Sequence, residues 1–390
     1  MPLKPRALLA LGIALAFAPA CDRTAAPLAE HLRRGDAALT EGRYARALAA
    51  YAHAREIAPT DPAVQRAMMR ARAYALADNP TRLALDGLDD AEYEAQLLLD
   101  TDKGREAVYL TALANILARE GDVEGARLKL AEALKADPGS VLAHTALGVL
   151  WAGKKDGLSQ AKAELEAALK TKPDHAGALV VLGQVKLAEG DVAGASERLE
   201  AALRAGEDFR ARMTLGNVRL QQQKPAEAAE QFQRATALDP RSADALGSLG
   251  QSLLDAGKPE EAERALRAAT QIRADEPIEV ALGFALARQR KLDQALGVFA
   301  QVLANDATAA PALYGAATAS EGLKKNDQAL DLYKRLLALP AEGRDKQLIT
   351  DLQKDARGRV TALTAAAAPP ASASGSAAPG PPPPRAGPLR

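Results

Sequence analysis

The stretch Gly148-Val-Leu-Trp-Ala-Gly153-Lys154-Lys155 has the spacing of a phosphate-binding loop, whose backbone N–H groups and lysine would cradle phosphate oxygens. Magnesium would need Ser or Thr after the first lysine, and Lys155 stands there. Such a loop must also follow a strand, whereas Gly148 and Trp151 sit inside a helical apolar pattern. Asp100-Thr-Asp-Lys-Gly-Arg-Glu106 begins like a calcium loop, but its glycine comes one place early and its twelfth position is Thr111. His31, His53, His144 and His175 lack the spacings that put two imidazoles on one metal. No nucleophile elbow marks a catalytic serine. Neither a catalytic residue, a metal nor a cofactor is therefore expected. The acidic run Asp86, Asp89, Asp90, Glu92 and Glu94 reads as an exposed helix face.

One reactive side chain has a clearer context. Cys21 is the only cysteine, and it follows a basic start (Lys4, Arg6), an apolar run from Ala7 to Ala18, and small residues. That order is a secretory signal over residues 1–20. Two processing routes fit it. Ala18-Pro19-Ala20 suits an ordinary signal peptidase, while Ala18-Pro19-Ala20-Cys21 resembles the lipobox of bacterial lipoproteins. That resemblance implies a lipidated Cys21 and a membrane anchor through several acyl chains. Residues 21–27 would then form a tether of at most about 20 Å, holding the folded part near the membrane. Inner and outer membrane stay equally open.

The chain has 390 residues, with 50 basic side chains balanced by 50 acidic ones. Neutrality argues against nucleic acid as a partner. Aromatics make up only 3%, so the helices must pack through alanine and other small residues.

The phrase Arg119–Ala136, REGDVEGARLKLAEALKA, returns 69 residues later as AEGDVAGASERLEAALRA. Eight copies begin near Leu28, Ala107, Val141, Ala176, Phe209, Ala243, Glu276 and Ala310, the last seven at spacings of 33 to 35 residues. Apolar residues at i, i+3, i+4 and i+7 give each helix one buried stripe. The eighth slot holds Gly35, Ala114, Gly148, Gly183, Gly216, Gly250, Gly283 and Ala317, small residues suited to a close helix crossing. Gly42, Gly121, Gly190 and Gly257 suit left-handed turns, and Pro59, Pro138, Pro173 and Pro240 stop the second helices.

With Gly42, Tyr44, Ala47, Tyr51, Ala54 and Pro59 in the first copy, and Gly121, Ala126, Leu130, Ala133 and Pro138 in the second, the chain resembles the tetratricopeptide repeat family. The resemblance implies an all-α, right-handed superhelical solenoid of antiparallel helix pairs. The expected order is a first repeat over 28–61, a degenerate helical repeat over 62–106, seven repeats over 107–343, and a capping helix over 344–367. A disordered Pro/Ala-rich tail, partly polyproline II, fills 368–390.

The resemblance also implies that first helices line a concave face, with the ninth slot pointing into it. That slot holds Asp36, Asn115, Val149, Gln184, Asn217, Gln251, Phe284 and Thr318. Asn115, Gln184, Asn217 and Gln251 form a row of carboxamides able to bond an extended peptide backbone. Met213, Phe284 and Tyr314 are the candidate apolar anchors. The basic clamp of chaperone-binding relatives is missing, since Asp244, Gly247 and Ser248 stand in its slots. The expectation is a non-catalytic, membrane-tethered scaffold for other envelope proteins, in secretion, pilus, motility or polysaccharide-export machinery. The alternative is an accessory subunit that recruits substrate to a cell-wall or polysaccharide enzyme.

Overall fold

The computed structural model describes residues 21–78 and 88–367. Residues 1–20, expected to be a signal sequence, Asp86 and the Pro-rich stretch 368–390 lie outside the described residues. The described residues form nineteen α-helices and no strand, and none of these helices is long and apolar enough to cross a membrane. The chain falls into two compact units, up to Val218 and from Arg219.

The first unit holds α1 (Cys21–Thr40), α2 (Tyr44–Ile57), α3 (Pro62–Asp78), α4 (Leu88–Thr101), α5 (Glu106–Glu120), α6 (Val123–Ala136), α7 (Val141–Ala152), α8 (Leu158–Thr171), α9 (Ala176–Ala188), α10 (Val192–Ala205) and α11 (Phe209–Gln221). The second holds α12 (Pro225–Leu238), α13 (Ala243–Asp255), α14 (Pro259–Ile272), α15 (Glu276–Arg288), α16 (Leu292–Asn305), α17 (Ala310–Gly322), α18 (Asn326–Leu337) and α19 (Lys346–Ala367). One expectation changes at the start. Residues 21–27 belong to α1, so that stretch spans about 1.5 Å per residue instead of an extended tether's ~3.4 Å.

Each second helix buries a single stripe. Ala126, Leu130 and Ala133 of α6, Ala195, Leu199 and Ala202 of α10, and Ala262, Leu266 and Ala269 of α14 are all fully buried. Opposite Leu199 and Leu266 stand eighth-slot glycines, Gly183 and Gly250, while the slot in the repeat of Leu130 holds Ala114. A Cβ on Gly250 would lie 2.4 Å from Leu266 Cγ, and one on Gly183 would lie 2.8 Å from Leu199 Cγ. Phe299 takes the leucine position in α16 and presses on two glycines, Gly283 and Gly315. The hairpins thus close by letting a backbone touch a side chain.

The repeated phrase now has a local explanation. Gly121 and Gly190 adopt φ of 92° and 82°, which reverses the chain after α5 and α9. The next residues, Asp122 and Asp191, cap α6 and α10 by accepting from Gly125 N and Gly194 N at 2.8 Å. Gln223, Arg290 and Lys324 hold the same left-handed turn without glycine.

Successive pairs of the second unit are also joined by charge. Glu263 of α14 accepts from Lys291 at 2.7 Å, Arg267 at 2.8 Å and Gln289 at 2.9 Å. The Lys291 bond, with support from Arg267 and Gln289, holds the carboxyl down to about 2. At the far end α19 packs on α17 and α18, where Gln353 Nε2 donates to the carbonyls of Leu336 (3.0 Å) and Leu339 (2.8 Å). Leu336 is in the last turn of α18 and Leu339 lies just past it, so this one amide ties α19 to the chain where α18 ends.

Gly250→Ala should lower stability by about 1–3 kcal/mol through overpacking at the crossing, read as a shifted urea midpoint. Glu263 is depressed in the fold, so its contribution exists above the unfolded value of 4.5 and is lost as pH falls toward about 2. Glu263→Gln should therefore lower the melting temperature at pH 7 and flatten its decline between those values. An unchanged profile would remove the charge from the account.

Candidate functional site

In the first unit the expected peptide groove is partly filled by the chain itself. α3 has 17 residues, against 13 in α9 and α11. Its last turn is buried on almost all sides, with Ala73, Ala75, Leu76 and Ala77 at 2–5% exposure. Leu76 and Ala77 join Tyr109, Leu113 and Ile116 of α5 and Leu142 of α7 in one core cluster. Asn115, expected to face a ligand, is buried there instead. Its Nδ2 donates to the carbonyls of Leu76 (2.8 Å) and Ala77 (3.1 Å), satisfying two orphan acceptors at the helix end. His175 then ties α3 to α9. Its Nδ1 accepts from Ala178 N at 3.2 Å, which leaves Nε2–H to meet Asp78 Oδ1 at 3.3 Å.

The remaining first-unit candidates stay more open. Gln184 is exposed and donates to Thr214 Oγ1 at 3.3 Å, linking α9 to α11. Asn217 is exposed and Met213 half-buried. The ninth slot of the first repeat is not a free ligand group, because Asp36 accepts from the buried Tyr51 hydroxyl at 2.7 Å.

The second unit has a recess of about 310 Å³ between the first helices α13 and α15. Asp244, Gly247, Ser248 and Gln251 line one wall at i, i+3, i+4 and i+7, a single face of α13. Pro277, Ile278 and Ala281 form the α15 side. Gly247 lets Ile278 approach the α13 backbone, where an added Cβ would lie 3.1 Å from Ile278 Cγ1. Gln251 is exposed, its amide donating to Asp255 at 3.1 Å. At the mouth Arg273 bridges Asp244 and Asp275, donating through Nε to Asp275 at 2.8 Å. Asp275 also caps α15 by accepting from Ile278 N. Sequence reading missed this trio because Arg273 lies 29 residues from Asp244, with no pattern joining them.

Two expected anchors of this unit are committed elsewhere. Phe284 packs edge-on against Phe299 at 5.2 Å and belongs mainly to the core. Tyr314 donates to Asp355 of α19 at 2.7 Å and lies beneath Arg359, whose guanidinium is 5.9 Å from the ring centre. The chain's own α19 occupies the place given to a partner. The seven candidates thus divide, with Asn115, Gln184, Met213 and Asn217 in the first unit and Gln251, Phe284 and Tyr314 in the second.

The other sequence candidates resolve as structure. Gly148 packs against Leu165, and Lys154 sits 4.7 Å from the Trp151 ring. Asp102, of the calcium-like stretch, accepts from Arg70 at 2.9 and 3.1 Å and from the Tyr109 hydroxyl. Asp89, Asp90 and Glu92 are exposed, but Glu94 turns inward to Arg72 at 3.1 Å. Burial pushes its carboxyl up, which corrects the reading of that whole run as a solvated face.

This fold places the chain in a class, the all-α helical-repeat proteins. The profile of the tetratricopeptide repeat family matches residues 111–176, 152–208, 180–235 and 213–277, so this stretch consists of tetratricopeptide repeats. Among solved structures the chain is similar to the Cut9–Hcn1 hetero-tetramer of the APC/C, at 17% identity and a TM-score of 0.54. That match covers 79% of this chain and 59% of the other. It is also similar to PilF of Pseudomonas aeruginosa (20% identity, TM-score 0.43), over 68% of this chain and 98% of that one. PilW, a type IV pilus biogenesis factor, gives 17% identity and a TM-score of 0.44, over 63% and 99%. At 17% identity the likeness to the Cut9–Hcn1 structure is one of fold alone. No curated protein matches the chain.

Asn115→Ala removes two buried hydrogen bonds to the end of α3 and should cost about 1–3 kcal/mol. Hydrogen exchange in α3 should rise first. Equal protection in α3 before and after the substitution would show that the cap contributes nothing.

Proposed function

We propose that the protein is a non-catalytic scaffold of the bacterial envelope, exported by its N-terminal signal and held at a membrane through lipidated Cys21. Its repeats grip partner proteins or their extended segments along the first-helix face, within a secretion, pilus, motility or polysaccharide-export assembly. The envelope part of this reading is supported by the basic start, apolar run and small residues that precede the lone cysteine.

The observation that carries the binding part is the α13–α15 recess. It is open, lined by small residues, and edged by Gln251 and Asp244 on α13 and by Asp275 at the start of α15. An extended segment laid there exposes alternating N–H and C=O groups, and the Gln251 carboxamide can serve one of each once it leaves Asp255. Gln184 and Asn217 offer the same chemistry in the first unit. Binding of this kind orders a partner without breaking a bond in it.

Replacing Gln251 and Asn217 by Ala removes up to two amide contacts of about 0.5–1.5 kcal/mol each, so partner capture should weaken about five- to a hundredfold. Pull-down from envelope extract followed by mass spectrometry reads this, with circular dichroism confirming unchanged helicity. In the same preparation Cys21→Ser should move the protein to the soluble fraction. Full capture by the double variant would end the carboxamide reading, and unchanged membrane association would end the lipid anchor.

A further inference from the structure

The recess carries an electrostatic pattern that the peptide-groove reading leaves unexplained. Arg273 is its one basic lining residue, held between the carboxylates of Asp244 and Asp275. All three side chains are substantially exposed, at 51%, 69% and 32%. Exposed pairs of this kind contribute only about 0–1 kcal/mol, so another guanidinium can replace Arg273 at little cost. The adjacent surface is also acidic. Burial pushes the Glu276 carboxyl up, and the nearby carboxylates of Asp306 and Asp345 add to it. A ligand that suits the site is therefore extended, carries a guanidinium, and lacks acids.

The chain contains such a segment. Pro379–Arg390 reads PGPPPPRAGPLR, with Arg385 and Arg390 as its only charged side chains. α19 ends at Ala367, which leaves 17 residues before Arg385, or 18 steps along the chain. At about 3.1 Å per residue in polyproline II geometry these reach roughly 55 Å. α19 packs on α17, α17 on α15 and α15 on α13. Neighbouring helices lie about 10 Å apart, so the recess is roughly 20–30 Å away, well within reach. A Pro-rich segment is already extended and loses little freedom on docking. Tethering raises its local concentration to about the millimolar range, where a weak contact is populated.

We propose that the α13–α15 recess is occupied in cis by the chain's own segment Pro379–Arg390, with Arg385 seated between Asp244 and Asp275. The tail is thus a competitor that a partner must displace. This inference rests on the reading of the recess as a peptide groove.

The test places p-benzoylphenylalanine at position 389 of the full chain, irradiates dilute protein, and maps the products by mass spectrometry. Intrachain crosslinks should fall within residues 244–281. Their yield should drop about fivefold or more in Asp244→Asn/Asp275→Asn, equivalent to ~1 kcal/mol, and likewise in Arg385→Gln/Arg390→Gln. Asparagine still caps α15 at position 275, so the helix is retained. Crosslinks elsewhere, or equal yields in all three proteins, overturn the proposal. Interchain crosslinks that grow with concentration overturn the cis assignment in favour of a second copy's tail. Partner capture is measured on the same samples, where Arg385→Gln/Arg390→Gln should increase it. Absent crosslinks with capture still sensitive to Gln251→Ala overturn tail docking and leave the groove reading standing. Loss of both signals removes the two together.

Discussion

Everything in this fold depends on a side chain resting against bare backbone. Where Leu165, Leu199 or Leu266 meets the opposite helix, the residue beneath it is glycine, and a single added carbon would fall well inside contact distance. The two helices of a hairpin can then approach closely enough to exclude water from the alanines on either side. The same rule adjusts to size, since Phe299 and Tyr51 fill the leucine position over Gly283, Gly315 and Gly35. A chain with few aromatics obtains its core from repetition of this one contact.

Close crossings also set what the concave face can offer. Side chains next to the crossing are within reach of the partner helix and are drawn into the fold. Asp36 goes to Tyr51, Phe284 to Phe299, and Asn115 to the end of α3. Free ligand groups remain where the first helix carries small or polar residues away from an aromatic, as on the Asp244–Gln251 face of α13. In each unit a helix of the chain itself takes up expected ligand groups, the end of α3 accepting from Asn115 and α19 accepting from Tyr314 through Asp355.

Local features were readable from the sequence, and nonlocal ones were not. The turn at Gly121 needs a left-handed residue wherever the chain goes next, so its type announces it. The stripe Ala126, Leu130 and Ala133 follows from helical geometry alone. The position of α3 depends on which surface its alanine-rich end finds, and alanines on all faces name no direction. Glu94 and Asp90 look alike in the sequence, yet only Glu94 finds an arginine across a helix pair. For the recess, the missing basic clamp was visible at Asp244, Gly247 and Ser248. The Arg273 bridge depends on a loop brought back over 29 residues.

Stacked hairpins carry a hazard that compact domains avoid. A bare final pair would present the surface that every internal pair uses to receive its neighbour, and a second molecule could add head to tail without ever closing a ring. α19 removes that surface. Its buried residues, Gln353, Ala356 and Leu363, turn inward, while Asp351, Lys354 and Arg357 face water. At this end a further hairpin would meet the charged residues Asp351, Lys354 and Arg357 in place of the apolar surface that internal pairs share.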